Sequence, residues 1–94
     1  MKVVWLPRAL RRLEQAKQHI EQDKPVAAIN TMRRIFECAE RLAYFPEIGR
    51  PGRLPATREL VLPNTPFILV YRLQADRVEI LTLLHSARKW PEHL

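Results

Sequence analysis

The stretch of residues 67–84, FILVYRLQADRVEILTLL, decides the fold of this chain. Two runs of β-branched, aromatic and aliphatic residues, 67–73 and 77–84, flank the short polar segment 74–76, and this pattern predicts an antiparallel hairpin. Because alternate side chains of a strand point to opposite faces, the first strand presents two sets of residues: Phe67, Leu69, Tyr71 and Leu73 on one face, and Ile68, Val70 and Arg72 on the other. We expect Tyr71 to lie in the core with its hydroxyl hydrogen-bonded.

The segments before this hairpin predict one more strand and a constrained loop. Residues 58–62 have the composition of a strand, whereas the prolines of residues 62–66 exclude that segment from a strand interior. Residues 46–53 contain both glycines of the chain, so they must form a turn or loop. Two interpretations stay open: the loop is a plain connector, or it presents Arg50 and Arg53 beside a functional face.

The first half of the chain predicts a short strand and two helices. Residues 2–6 are apolar and end at Pro7, which suits the first turn of a helix. Apolar residues then recur every three to four positions over residues 8–23 and again from Pro25 to about residue 45, where the following proline ends the second helix. The tight turn between them predicts an antiparallel helical hairpin.

Three side chains of the second helix, Cys38, Tyr44 and Phe45, are expected to face the core. Cys38 is the only cysteine, so an internal disulfide is excluded, and a small core residue is a better interpretation than a nucleophile. No metal site or cofactor is expected, because the three histidines show no ligand spacing with Cys38 or with each other: His19, His85 and His93.

These elements define an α+β fold class. A short N-terminal strand is followed by an antiparallel helical hairpin that packs on one face of a twisted antiparallel sheet, in the order β-α-α-β-β-β. We expect a single domain over residues 1–94.

Composition and charge restrict the partners. The chain has 16 basic and 10 acidic residues, for a net charge of +6, so it attracts polyanions or an acidic protein partner. No apolar run reaches the roughly 18 residues that a membrane helix needs, and the N-terminal apolar run is too short for a signal peptide. We therefore expect a cytoplasmic protein without membrane contact.

The last strand ends in a polar cluster, HSARKW at residues 85–90. His85 and Arg88 have the chemistry for acid–base work and phosphate binding, but the same residues and Lys89 would also suit contact with a macromolecule. For Trp90 we favour packing over the sheet edge.

Arg58 has two competing interpretations. It is either a surface strand residue paired with Glu59 or Glu79, or a functional residue on the concave face of the sheet beside Arg72 and Arg88.

Several motifs together resemble one protein family. They are the Pro-x-x-Gly-Arg-Pro-Gly-Arg loop at residues 46–53, Thr-Arg-Glu-Leu at 57–60, Val-Tyr-Arg at 70–72 and His-x-Ala-Arg-x-Trp at 85–90. In order and spacing they resemble the RelE/ParE toxin superfamily of bacterial type II toxin–antitoxin systems. The resemblance implies the α+β architecture above and a small acidic partner, a ParD-like cognate antitoxin that neutralises the toxin.

The superfamily divides into two functional branches. RelE-like members are ribosome-dependent mRNA endonucleases, whereas ParE-like members poison DNA gyrase. Ile68 stands where the nucleases carry a catalytic arginine, Arg58 and Glu59 stand in place of their paired lysines, and the nuclease C-terminal tyrosine has no clear match. These departures favour the ParE-like branch, with DNA gyrase as target and no catalytic residue.

The alternative is a RelE-type endoribonuclease that would use Arg58, His85 and Arg88. A plain nucleic-acid-binding module would explain the charge but not the resemblance along the whole chain. Under the favoured hypothesis, the following residues are expected to contact the target or the antitoxin: Arg50, Arg53, Arg58, Arg72, His85, Arg88, Lys89 and Trp90.

Overall fold

The computed structural model describes residues 1–86. They form two helices and five strands: β1 (Lys2–Trp5), α1 (Pro7–Glu21), α2 (Pro25–Arg41), β2 (Arg50–Pro51), β3 (Thr57–Val61), β4 (Phe67–Gln74) and β5 (Arg77–His85). The predicted α+β order is confirmed, with the two-residue strand β2 as an addition. The predictions for Arg88, Lys89 and Trp90 lie outside the described residues. None of the helices within residues 1–86 has the length and apolarity to cross a membrane.

The strands form one sheet in the order β1-β5-β4-β3-β2. The predicted hairpin of β4 and β5 is confirmed, with Gln74 opposite Arg77 across the turn. β2, β3 and β4 also pair antiparallel, whereas β1 runs parallel to β5. Parallel neighbours require a long crossover connection, and the two helices lie within the connection from β1 back to the sheet.

The core lies between the helices and one face of the sheet. It contains the β4 residues that were predicted to face inward, together with residues from both helices and from β5. Its main members are Ala9, Leu13, Ile35, Ala39, Leu42, Phe67, Leu69, Tyr71, Val78, Ile80 and Leu83. The predicted division of β4 into two faces is therefore confirmed, with Leu73 partly buried against the same cluster.

A β-bulge in β5 places its apolar residues correctly. Tyr71 pairs with Ile80 but Val70 pairs with Thr82, so Leu81 is an extra residue in the ladder. Without it, Ile80 and Leu83 would point to opposite faces, because strand side chains alternate with a period of two. With it, both are buried in the core.

Both helices begin at proline and have no side-chain cap. Pro7 and Pro25 occupy the first turns after Leu6 and Lys24, neither of which caps the helix through its side chain. Because helix stability in proteins comes mainly from packing of an apolar face, these helices depend on their contacts with the sheet. Cys38 packs partly buried against the core, as predicted, and burial raises the pKa of its thiol.

The prediction that Tyr44 and Phe45 lie in the core is wrong. Tyr44 is 80% exposed and Phe45 is 57% exposed. The reason is that α2 ends at Arg41, before either ring. The chain continues as a hydrogen-bonded turn, in which the N–H of Tyr44 donates to the carbonyl of Arg41, and Leu42 is the last fully buried residue. Apolar composition alone at a helix end does not fix this direction.

Replacing Ala75 by glycine is expected to stabilise the protein. Ala75 forms the β4–β5 turn with a φ of 55°. A left-handed conformation costs an L-residue roughly 1–2 kcal/mol, and the extra chain entropy of glycine offsets about 0.5–1 kcal/mol of the gain. The free energy of unfolding in urea should therefore rise by about 0.5–1 kcal/mol for Ala75→Gly. Ala16→Gly, within α1, is the control and should lower it by about 1 kcal/mol; an equal loss at both positions would contradict the prediction.

Candidate functional site

Two arginines converge on a buried carboxylate on the sheet face opposite the helices. Glu79 on β5 is 2% exposed. Arg72, directly opposite on β4, donates its Nε–H to Glu79 Oε1 at 2.7 Å, and Arg77 donates from its guanidinium to Oε2. These three residues are called the Glu79 cluster below. The hydrogen bond from Arg72 is the main cause that holds the pKa of Glu79 below its usual range; Arg77 acts in the same direction, while burial opposes both.

A second buried carboxylate on the same face holds the sheet edge. Glu59 on β3 is 7% exposed. Arg50 on β2 donates from Nε and from a terminal nitrogen to Glu59 Oε1, at 3.2 and 3.0 Å. The backbone N–H of Arg53 donates to Oε2 at 3.2 Å. Glu59 therefore fixes both the short edge strand and the loop that follows it.

Tyr71 and Arg58 hold the loop that joins the helices to the sheet. The Tyr71 hydroxyl donates to the carbonyl of Pro46 at 2.8 Å and accepts from the N–H of Gly49 at 2.9 Å. Arg58 donates to the carbonyls of Glu47 and Gly49 at 3.1 and 2.8 Å. A Cβ at position 49 would lie 2.6 Å from the Tyr71 hydroxyl oxygen, so this approach requires glycine. Burial raises the pKa of the Tyr71 phenol.

Arg58 and Arg72 do not share a face, so that prediction is wrong. Arg58 pairs with Tyr71 and lies on its side of the sheet, whereas Arg72 pairs with Thr57 and Glu79 on the other side. Cross-strand partners share a face. A shift of one residue in the pairing of β3 with β4 would therefore have placed Arg58 on the same face as Arg72, as expected. The expected pairing of Arg58 with Glu59 or Glu79 is also wrong, because its guanidinium bonds loop carbonyls.

Arg58 and His85 are not brought together either. Tyr71 and Phe67 are the respective β4 partners of Arg58 and His85. The four-residue offset along β4 corresponds to about 13 Å, and β4 itself separates the two strands that carry them. The His85 ring lies edge-on to Phe67, with 5.6 Å between centroids.

The predicted loop arginines lie together near Glu59. The side chain of Arg50 is 59% exposed although its guanidinium is bound to Glu59. Arg53 is exposed and contributes its backbone to the same carboxylate. The structure therefore places both arginines on a constrained loop, while their position beside a functional face stays a prediction.

The sequence interpretation missed Arg77 and the two buried glutamates. Glu59 and Glu79 each stand within an apolar strand, at a position where a solvent-facing charge is the usual expectation. For Glu79 the available signal was Arg72 on the adjacent predicted strand, which is typical of a cross-strand ion pair. Glu59 had no such signal, because its partner Arg50 lies in the predicted loop.

An apolar stripe on α2 is a second exposed surface. Val26, Ile29 and Phe36 recur on one side of the helix and are 70%, 59% and 44% exposed. Phe36 also contacts the Trp5 ring, with 5.4 Å between centroids. Exposed apolar residues at helical spacing are a property of surfaces that protein partners cover. We call these three residues the α2 stripe.

Within residues 1–86, no group of three or more histidine, cysteine or acidic side chains is arranged to hold a metal ion.

Comparison with known proteins gives the family. The sequence model of the family described as the ParE toxin of type II toxin–antitoxin systems matches residues 3–90, so the chain belongs to this family of toxins. The Y4kP protein of Sinorhizobium fredii, named as a candidate toxin, is 46% identical over 99% of this chain and 96% of its own. Toxin RelE2 of Caulobacter vibrioides is 34% identical over 92% and 96%, respectively. A solved chain of the chromosomal ParDE toxin–antitoxin system of P. aeruginosa is 26% identical, with a TM-score of 0.81 over 88% of this chain and 92% of that chain. The resemblance to the RelE/ParE superfamily is thus confirmed.

Removing the Tyr71 hydroxyl is expected to destabilise the protein. Tyr71→Phe leaves the N–H of Gly49 and the carbonyl of Pro46 without this partner, at a buried site. An unsatisfied buried polar group costs about 1–3 kcal/mol, and the free energy of unfolding in urea should fall by about that amount. Tyr44→Phe removes the same atom from a side chain that is 80% exposed and should have no measurable effect. Equal effects at the two positions would contradict the proposed role of Tyr71.

Acid should weaken the fold through Glu79. Because its pKa in the folded protein is held below the ordinary 4.5, Glu79 stabilises the fold above pH 4.5, and this contribution is lost as the pH falls through the lower folded value. Glu79→Gln should therefore lower stability at pH 7 and flatten its dependence on pH between about 5 and 3. Urea unfolding at half-unit pH steps measures both effects. Glu21→Gln, at an exposed position on α1, is the matched control; a pH dependence for Glu79→Gln as steep as that of the control would refute the role of Glu79.

Proposed function

We propose that this ParE-family toxin inhibits DNA gyrase by binding, without catalysis of its own, and is neutralised by a cognate acidic antitoxin. The match to the ParE family over residues 3–90 supports this target class. The solved ParDE relative is named as a toxin–antitoxin system, which supports an antitoxin partner. Gyrase acts on chromosomal DNA, so the proposed location is the cytoplasm.

The observation that carries the choice against nuclease chemistry is the position of Arg58. A ribonuclease site needs cations free to stabilise charge on a phosphate, with proton-transfer groups close by. The Arg58 guanidinium instead bonds the carbonyls of Glu47 and Gly49. Its strand position is about 13 Å along β4 from that of His85.

The remaining arginines on the opposite face support binding over catalysis. Arg50 and Arg72 are each paired with a buried carboxylate, which lowers their net attraction for a phosphate. Their guanidiniums remain partly exposed and fixed in position. We propose that Arg50, Arg53 and Arg72 contact the target or the antitoxin, as do Arg88, Lys89 and Trp90 beyond the described residues.

The antitoxin would also cover the α2 stripe. The net charge of +6 favours an acidic partner, and the exposed apolar side chains favour one with an amphipathic segment. Because the helices and the Glu79 cluster lie on opposite faces of the sheet, a partner that contacts both must be extended.

One relative favours the alternative function. Toxin RelE2 of Caulobacter vibrioides, at 34% identity, carries the name of the endonuclease branch. Under this alternative the chain would cleave mRNA on the ribosome with Arg58, His85 and Arg88.

Two assays on the purified protein separate the candidates. Under the proposed function it should inhibit DNA supercoiling by gyrase and cause linear DNA to accumulate, while mRNA on translating ribosomes stays intact. Induction in cells should stop growth, and co-expression of the protein from the adjacent reading frame should restore it. Heat-denatured protein is the control for both assays. Ribosome-dependent mRNA cleavage that Arg88→Ala abolishes would overturn the proposal in favour of the endonuclease.

A further inference from the structure

We propose that Arg72, Arg77 and Lys2 form a binding site for the carboxylates of an acidic protein segment, and that Glu79 positions its arginines. The inference rests on the proposed function only for the source of that segment, the antitoxin. Arg77 and Lys2 were not among the residues that the sequence indicated.

The charge of the Glu79 cluster exceeds what the fold requires. A buried carboxylate needs compensation by one opposite charge and by hydrogen bonds. Glu59, on the same face, has one arginine and one backbone N–H. Glu79 has two arginines, so the cluster keeps a net charge of +1. The second arginine is therefore available for a function other than balancing Glu79.

The two guanidiniums are positioned in advance and remain accessible. Arg72 and Arg77 bind different oxygens of one carboxylate, and their side chains are 44% and 47% exposed. A guanidinium carries five N–H donors, and each arginine uses one of them in these two hydrogen bonds. Because Glu79 already restricts both long side chains, a ligand would lose less of their conformational freedom on binding.

Lys2 extends the positive charge across the sheet edge. It lies opposite Arg77 on the neighbouring strand β1, and partners across strands share a face. Lys2 is exposed, and together with the Glu79 cluster it gives a net charge of +2 for these four residues. Asp76, which precedes Arg77 in the β4–β5 turn, carries a negative charge and reduces the attraction of the site for anions.

The surroundings favour a protein segment over a nucleic acid. The sheet neighbours of the site on this face are Thr57 and Val4, and the part of this face that the structure describes carries no aromatic ring on which a base could stack. The carboxylates of a peptide are separate groups, each of which can pair with an individual guanidinium.

The test measures binding of two probes to charge variants. The first probe is the protein from the adjacent reading frame, and the second is a decaglutamate peptide; both are titrated by calorimetry at low salt. Arg77→Gln should weaken binding of each about tenfold, and adding Lys2→Gln should weaken it further and reduce the dependence on salt. Arg11→Gln on α1 removes the same charge from an exposed position outside the α2 stripe and should change affinity less than about twofold. Arg72 is left intact because it compensates Glu79, and thermal melts check that each variant folds.

The outcomes distinguish this inference from the proposed function. If the adjacent-frame protein binds wild type, Arg77→Gln and Arg11→Gln with equal affinity, the proposed site is overturned, while the antitoxin partner stands. If that protein does not bind wild type at all, the antitoxin proposal fails, and the peptide alone tests the site. Weaker peptide binding by Arg77→Gln than by the control variant supports the site. Equal peptide binding by the two variants overturns it. Binding of a dodecathymidine strand is measured in the same way. If Arg77→Gln weakens binding of this strand more than it weakens binding of the peptide, the choice of an acidic protein segment as ligand is overturned.

Discussion

The hydroxyl of Tyr71 anchors the loop that connects the helices to the antiparallel strands. Tyr71 is fully buried in β4, and its hydroxyl bonds both Pro46 and Gly49 in the connecting loop. Strand β2 begins at Arg50, directly after this anchored segment. The ion pair of Arg50 with Glu59 therefore depends on a hydrogen bond that originates in the core, and the exposed basic loop is positioned from within the protein.

The bulge at Leu81 allows one strand to serve both faces of the sheet. It restores Ile80 and Leu83 to the core face while Glu79 stays on the opposite face. The apolar side of β5 then packs under the helices, and its polar side carries the Glu79 cluster. The apolar core and the surface charge thus lie on opposite sides of the same nine-residue strand.

The hairpin was predictable because two apolar runs flank a short polar turn, and its faces because alternate side chains of a strand point to opposite sides, with Arg72 marking the side away from the core. The bulge was not predictable, because one additional leucine within an apolar run does not change the apolar character from which the strand is recognised. The face of Arg58 depends on the register between β3 and β4, which the turn over residues 62–66 sets, and a one-residue shift reverses every side chain. The direction of Tyr44 and Phe45 depends on where α2 leaves the core, which Pro46 alone does not determine.

The described arginines illustrate why a basic surface does not by itself indicate phosphate chemistry. Catalysis on a phosphate gains from cations whose charge is uncompensated and directed at one point. Arg58 donates to loop carbonyls, while Arg50 and Arg72 each face a buried carboxylate on the other side of the sheet. Such pairing weakens the positive electrostatic potential at any single point, but it fixes the positions of the guanidinium N–H donors that are not used in the ion pairs. Fixed donors distributed over a surface favour recognition of an extended partner, and the same carboxylates that oppose catalysis therefore favour binding.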